Sequence, residues 1–165
     1  MKELVSITSL LGWIESTNLS IAIREGALPY PIIGGVHLLG IALFGGMLLV
    51  TDLRLLGWAM RRRPLSDILD QLRAWKRLGF VMVAASGLLL AWAEPQKLYR
   101  SPAFWVKISL LALVGVHAIV FRARVYGNTA RRDVAETAEA RLAASISLLL
   151  WAGLIVSGRL IAFDA

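Results

Sequence analysis

The chain has 165 residues, of which 58% are hydrophobic and only 18% are charged, whereas a soluble globular domain is about 45–50% apolar. This composition predicts an integral membrane protein. Because each membrane span needs about 20 apolar residues, four or five spans leave no room here for a separate soluble catalytic domain. The absence of cysteine excludes disulfides, thiolate metal sites and covalently attached c-type haem.

The first predicted element is an amphipathic helix over about residues 3–24. Its apolar residues recur near the helical period among charged ones, which is typical of a helix lying on a membrane surface. A cleaved secretory signal has an uninterrupted apolar core, and Glu15 and Asn18 interrupt this stretch. We therefore expect the helix to belong to the mature protein.

Four apolar segments follow and predict membrane spans. They cover about residues 31–56, 78–93, 102–121 and 143–163. Between the first two spans, apolar residues recur at helical spacing from Leu65 to Trp75 after Pro64, which predicts a second surface helix. The sequence thus predicts a single all-α membrane domain over residues 1–165, a four-helix bundle with an N-terminal amphipathic surface helix.

The basic residues orient this bundle. Twelve of the eighteen lie in segments 51–77 and 122–141, which four spans place on one side of the membrane. By the positive-inside rule that side is cytoplasmic, which predicts a bacterial inner-membrane protein with both termini periplasmic or exterior. The net charge of +7 is then a topology signal, and we expect no nucleic-acid partner. The expected partners are the lipid bilayer and a membrane protein or a second copy of the chain.

The only two histidines, His37 and His117, lie in predicted spans, where ionisable residues are costly and mark functional candidates. The alternative is a neutral imidazole that bonds a neighbouring helix. His37 lies fifteen residues before Asp52, whereas His117 lies only five before Arg122. At about 1.5 Å per residue the two depths differ by roughly 15 Å, which argues against both histidines binding one haem iron.

Lys107, unlike His117, lies at the predicted depth of His37 in the membrane. It lies fifteen residues before Arg122, so it shares the predicted depth of His37, and the first and third spans are diagonal partners in an up-down bundle. One interpretation is a lysine that extends its amine to the membrane surface. The other is a core role opposite His37, in which a neutral amine ligates a metal. His37 and Lys107 are therefore the candidate metal ligands.

The residues around His37 are small. Gly34 and Gly40 lie about one turn away on either side, which either lets helices approach closely or leaves room for a flat macrocycle beside an axial histidine. Basic candidates for haem propionates near the outer surface are Lys97, Arg100 and Arg159. We also place Met47 and Met82 near the depth of His117, where they are either packing residues or part of a copper or second haem site.

Two stretches carry a resemblance. Residues 37–40 with 52–57, and residues 93–107, resemble a bacterial membrane-protein family catalogued as a domain of unknown function. More distantly, the helices of His37 and of Lys107 to His117 are similar to the four-helix superfamily that contains HemJ-type protoporphyrinogen oxidases and CopD-type copper-resistance proteins. In HemJ-type proteins a histidine on the first span and a lysine on a later one serve haem binding, which the resemblance carries onto His37 and Lys107. The spacing from that lysine to the later histidine is about one residue shorter here.

The leading expectation is a haem b-binding membrane protein that transfers electrons, or that oxidises a porphyrin as its resemblance implies. Its cofactor-binding candidates are His37, Lys107 and His117, with Gly34, Gly40 and Arg100 around them. One alternative is a copper or small-solute transport module. The other is a cofactor-free structural subunit of a larger membrane complex, favoured by short loops and glycine-rich helix faces.

Overall fold

A computed structural model describes residues 2–121 and 137–163 of the chain. In that part every regular element is an α-helix, and the helices are α1 (Lys2–Glu15), α2 (Asn18–Glu25), α3 (Pro29–Leu55), α4 (Leu65–Ala93), α5 (Pro95–Arg100), α6 (Pro102–Phe121) and α7 (Ala138–Leu160). Four of them, α3, α4, α6 and α7, are long and apolar enough to cross a membrane. The predicted all-α fold with four spans is confirmed.

The structure divides the predicted N-terminal helix into two separate helices, α1 and α2. The Thr17 hydroxyl donates to the Ile14 carbonyl at 2.7 Å at the end of α1. The same oxygen accepts from the Ser20 backbone N–H at 3.3 Å and so caps the start of α2. A threonine in this N-cap role ends one helix and begins the next within two residues.

The end of α4 holds α2 in place. The Ser20 hydroxyl and the Arg24 guanidinium donate to the Ala93 carbonyl at 3.0 Å and 3.4 Å. Ala93 is the last residue of α4, where helix carbonyls lack an intrahelical partner and carry partial negative charge. We call this end of the molecule the outer end, and the end with the α3–α4 loop (residues 56–64) the inner end.

The predicted surface helix at residues 65–75 is also not a separate element. It forms the first turns of α4, which runs without interruption from Leu65 to Ala93. No glycine or proline lies between Leu65 and Leu78, so nothing in the backbone ends the helix there. At the inner end Leu65 joins a buried cluster that also contains Leu55, Ala140, Ala143 and Ala144.

Helix α3 lies between α4 and α7, and α6 packs on the other side of α7. Glycines bring these helices close together. A Cβ atom at Gly79 of α4 would lie 2.8 Å from the Phe44 backbone nitrogen of α3, and Gly45 of α3 lies directly under the Trp151 ring of α7. Phe44 contacts Trp151 edge-on with ring centroids 5.6 Å apart. The hydrophobic effect does not drive helix association within lipid. Close van der Waals packing, which small residues allow, stabilises these crossings instead.

The Gly79 contact is testable by adding one methyl group. We expect Gly79→Ala to lower the melting temperature of the detergent-purified protein, followed by tryptophan fluorescence, because overpacking of this kind costs about 1–3 kcal/mol. Gly46→Ala is the matched control, since no atom lies within 4 Å of a Cβ there and alanine favours the helix by up to about 1 kcal/mol. Equal melting temperatures for the two variants would contradict this packing.

Candidate functional site

His37 lies on the face of α3 that packs against α4. Its Nδ1 atom is 2.9 Å from the Ser86 hydroxyl oxygen. That hydroxyl donates its own proton to the Met82 carbonyl one turn earlier in α4. A neutral imidazole that donates its Nδ1–H to Ser86 keeps the lone pair on Nε2. In this arrangement Nε2 is the atom of His37 that is able to bind a metal.

Gly87 makes room for the imidazole. A Cβ atom at this position would lie 3.1 Å from His37 Cε1, so any larger residue would press on the ring. Sequence reasoning missed both Ser86 and Gly87. The available signal was a hydroxyl followed by a glycine within an apolar span, but only the pairing of α3 with α4 relates them to His37.

Lys107 of α6 turns toward α7. Its side chain is half-buried, and a Cβ atom at Gly158 would lie 3.5 Å from Lys107 Nζ. The lysine is close enough to His37 for their charges to interact. The ion pairs found among the described residues are Arg24–Glu25 and Arg73–Asp70, so within that part of the chain no carboxylate neutralises Lys107.

His117 lies near the opposite end of α6. Its ring contacts the Phe121 ring with centroids 4.7 Å apart, and Phe121 packs against the buried cluster at the inner end. Of Lys107 and His117, it is Lys107 whose charge acts on His37. This arrangement agrees with the depths that the spacing predicts.

The other cofactor-binding candidates, Gly34, Gly40 and Arg100, differ in their surroundings. A Cβ at Gly34 would meet no atom within 4 Å, so this side of α3 is open. At Gly40 a Cβ would lie 3.0 Å from Val83 of α4, so of the two interpretations this glycine fits the close approach of helices. Arg100 is exposed at the end of α5.

The predicted grouping of Met82 with His117 is wrong. Met82 packs against Gly40, about one turn from His37, because α4 crosses α3 at that level. Within residues 2–121 and 137–163, no three His, Asp or Glu side chains are grouped so that they could hold a metal ion.

A second group of polar residues lies at the inner end, and sequence reasoning missed it. The Lys76 ammonium of α4 donates to the Thr51 hydroxyl of α3 at 2.7 Å. The adjacent Asp52 is only 4% exposed and lies close to Ser147 of α7. In the sequence, Asp52 has the position of a polar residue at the end of a span. Only the helix packing shows that its side chain is buried. We call Thr51, Asp52, Lys76 and Ser147 the inner polar cluster.

Comparison with known proteins places these features in a family. Residues 3–164 match the Family of unknown function (DUF6644). The chain belongs to this family. The match covers all four long helices and agrees with the predicted membrane family of unknown function. Neither the curated proteins nor the solved structures include a significant match to the chain.

The Ser86 contact predicts the tautomer of His37. In a His117→Gln variant His37 is the only histidine, so ¹⁵N-histidine NMR reports on it alone. At a pH where the ring is neutral we expect a protonated Nδ1 and an unprotonated Nε2. Adding Ser86→Ala should redistribute the proton between the two nitrogens, since the acceptor of Nδ1–H is removed. A spectrum unchanged by Ser86→Ala would show that this serine does not select the tautomer.

Proposed function

We propose that this protein binds one haem b between its membrane spans and uses it to transfer electrons. The observation that carries the proposal is the His37 imidazole, anchored through Nδ1 to Ser86 so that Nε2 is available as a ligand. A porphyrin supplies four of the iron ligands, so the protein needs to add only one or two. An imidazole and an amine near each other satisfy that need without a cluster of three ligating side chains.

His37 would bind the haem iron through Nε2. Its hydrogen bond to Ser86 fixes the ring plane, which is how outer partners orient metal-binding histidines. Lys107 would bind the iron as a neutral amine, a state that an apolar environment with no carboxylate partner among the described residues favours. The open side of α3 at Gly34 allows a flat ring to lie beside the helix.

When bound, haem supplies one-electron chemistry at a potential set by its axial ligands and by the surrounding charge. The chain contributes the position and orientation of the two ligands. Its apolar helices keep bulk water from the site. The placement of Lys107 on α6 and His37 on α3 also makes ligation depend on the packing of both helices against α7.

The test is the haem content and the reduced-minus-oxidised visible spectrum of detergent-purified protein, made with ample haem supply. We expect His37→Ala to lower haem occupancy about tenfold or more, since even loss of an outer partner weakens a metal site by 10–100-fold. Lys107→Ala should retain part of the haem with a changed spectrum or potential. His117→Ala is the matched control and should resemble the unaltered protein.

Other results of this test would favour a different function or a different pair of ligands. A colourless, metal-free preparation contradicts haem binding and favours a structural subunit, whereas copper without haem favours a transport module. If His117→Ala loses haem as fully as His37→Ala while Lys107→Ala has no effect, the two histidines are the ligands and the proposed pair is wrong.

We also propose that the protein lies in a bacterial inner membrane with its inner end in the cytoplasm. Support comes from the charge distribution, because Arg61, Arg62 and Arg63 of the α3–α4 loop are exposed at the end where the positive-inside rule expects basic residues. The predicted orientation also uses basic residues at positions 122–136, which lie outside the described residues.

The cysteine-free sequence allows a direct topology test. Arg62 and Lys97 are exposed at opposite ends of the molecule, so single cysteines at these positions report on the two sides. A membrane-impermeant maleimide should label Lys97→Cys in cells with a permeabilised outer membrane. Arg62→Cys should react only after the inner membrane is disrupted. The reverse pattern would overturn the orientation.

A further inference from the structure

The inner polar cluster joins three helices around one buried carboxylate. Asp52 of α3 is 4% exposed and the adjacent Thr51 is 1% exposed. Lys76 comes from α4 and Ser147 from α7. A carboxylate, an ammonium and two hydroxyls thus come together between three helices, with Thr51 and Asp52 buried. Such intramembrane groups are costly to keep and are functional candidates for that reason.

One atom of this cluster has unused hydrogen-bonding capacity. Within the described part of the chain, Asp52 Oδ2 is the buried side-chain oxygen or nitrogen that has no hydrogen-bond partner. Leaving a buried acceptor unpaired costs about 1–3 kcal/mol, and more for a charged group. A proton on Oδ2 removes the charge and thereby much of this cost. The geometry therefore provides a position for a proton.

The charged groups around Asp52 act on it unequally. Lys76 is near enough for a Coulombic interaction, but its ammonium binds the Thr51 hydroxyl, and the ion pairs of the described residues do not include Asp52. Arg54 of α3 donates to the Arg63 and Arg61 carbonyls instead.

Among the described residues, the other titratable groups at this end of the packed helices are exposed or contact other side chains. On α4, Arg73 pairs with Asp70 and Arg77 is exposed. On α7, Glu139 and Arg141 are exposed. His117 of α6 contacts Phe121 at this end of the bundle.

We propose that Asp52 is a proton-binding site that exchanges protons with the aqueous phase at the inner end. In uptake, hydronium gives up one proton, an O–H bond forms at Oδ2 and a water molecule is released. In release, water accepts that proton and the carboxylate forms again. Lys76 keeps its proton throughout and attracts the ionised form. The exchange has a short path, because Asp52 lies only three residues before the end of α3, about 4.5 Å along the helix.

This proposal is independent of haem. Asp52 and His37 are fifteen residues apart on α3, which is about 22 Å along the helix. Protein without haem is therefore suitable for the test, and a failure of haem binding does not affect its outcome.

The experiment is pH-difference infrared spectroscopy of the protein in lipid vesicles. On acidification we expect the C=O stretching band of a buried carboxylic acid, which shifts to lower frequency when aspartate is ¹³C-labelled. Asp52→Asn, which keeps the size and an acceptor for Ser147, should abolish the band. Asp70→Asn is the control and should leave it, because Asp70 is exposed. In Lys76→Met the band should appear at a higher pH, since the neighbouring positive charge is removed.

Two outcomes would overturn the proposal. One is a band of unchanged intensity in Asp52→Asn. The other, which does not depend on any variant folding, is the absence of a ¹³C-aspartate-sensitive band of a buried acid in the unaltered protein across the pH range in which it stays folded. A folded Asp52→Glu variant should retain the band at a shifted frequency.

Discussion

The structure depends on one constraint: a polar side chain inside an apolar span has to find its partner on a neighbouring helix, since lipid offers none. Helix α3 carries two such groups, His37 toward the outer end and Asp52 toward the inner end. Ser86 of α4 contacts the first at 2.9 Å, and Ser147 of α7 lies close to the second. Because its polar groups need partners on both sides, α3 lies between α4 and α7. The glycines at the crossings allow the approach that these short side chains require.

An aromatic layer separates the two polar sites. Phe44 of α3 contacts Phe80 of α4 and Trp151 of α7 with ring centroids 5.8 Å and 5.6 Å apart. Beside this layer an apolar groove of about 270 Å³ lies between α3 and α7 and is bordered by Gly45, Gly46 and Ile155. The proposed haem ligation at His37 and the proposed proton exchange at Asp52 therefore lie at different levels of one helix.

Hydropathy was sufficient to predict the four spans, because a run of about 20 apolar residues has the length that a helix needs to cross the hydrocarbon core of a bilayer. It did not predict where surface helices begin and end, since that depends on local features such as the Thr17 cap and the uninterrupted backbone from Leu65 onward. Counting residues to the first inner charge related Lys107 to His37, because helix rise is constant. It misplaced Met82, whose depth depends on how α4 crosses α3.

The sequence also did not predict which residues contact His37 and Thr51, for a related reason. Ser86 and Lys76 are 49 and 25 residues from the α3 residues that they contact, and their sequence positions do not show which face of α4 meets α3. Gly40 illustrates the same difficulty. A glycine one turn from a histidine is equally suited to a cofactor and to a helix crossing, and only the position of Val83 shows that a helix fills the space.

The central claim is that an imidazole of α3 and an amine of α6 complete one iron site. Near-infrared magnetic circular dichroism of the oxidised, haem-loaded protein tests it most directly, since the energy of the ligand-to-iron charge-transfer band identifies the pair of axial ligands. The account predicts histidine–amine ligation, which Lys107→Ala removes. Bis-histidine ligation in the unaltered protein would contradict it, because the only other histidine, His117, lies with Phe121 at the inner end.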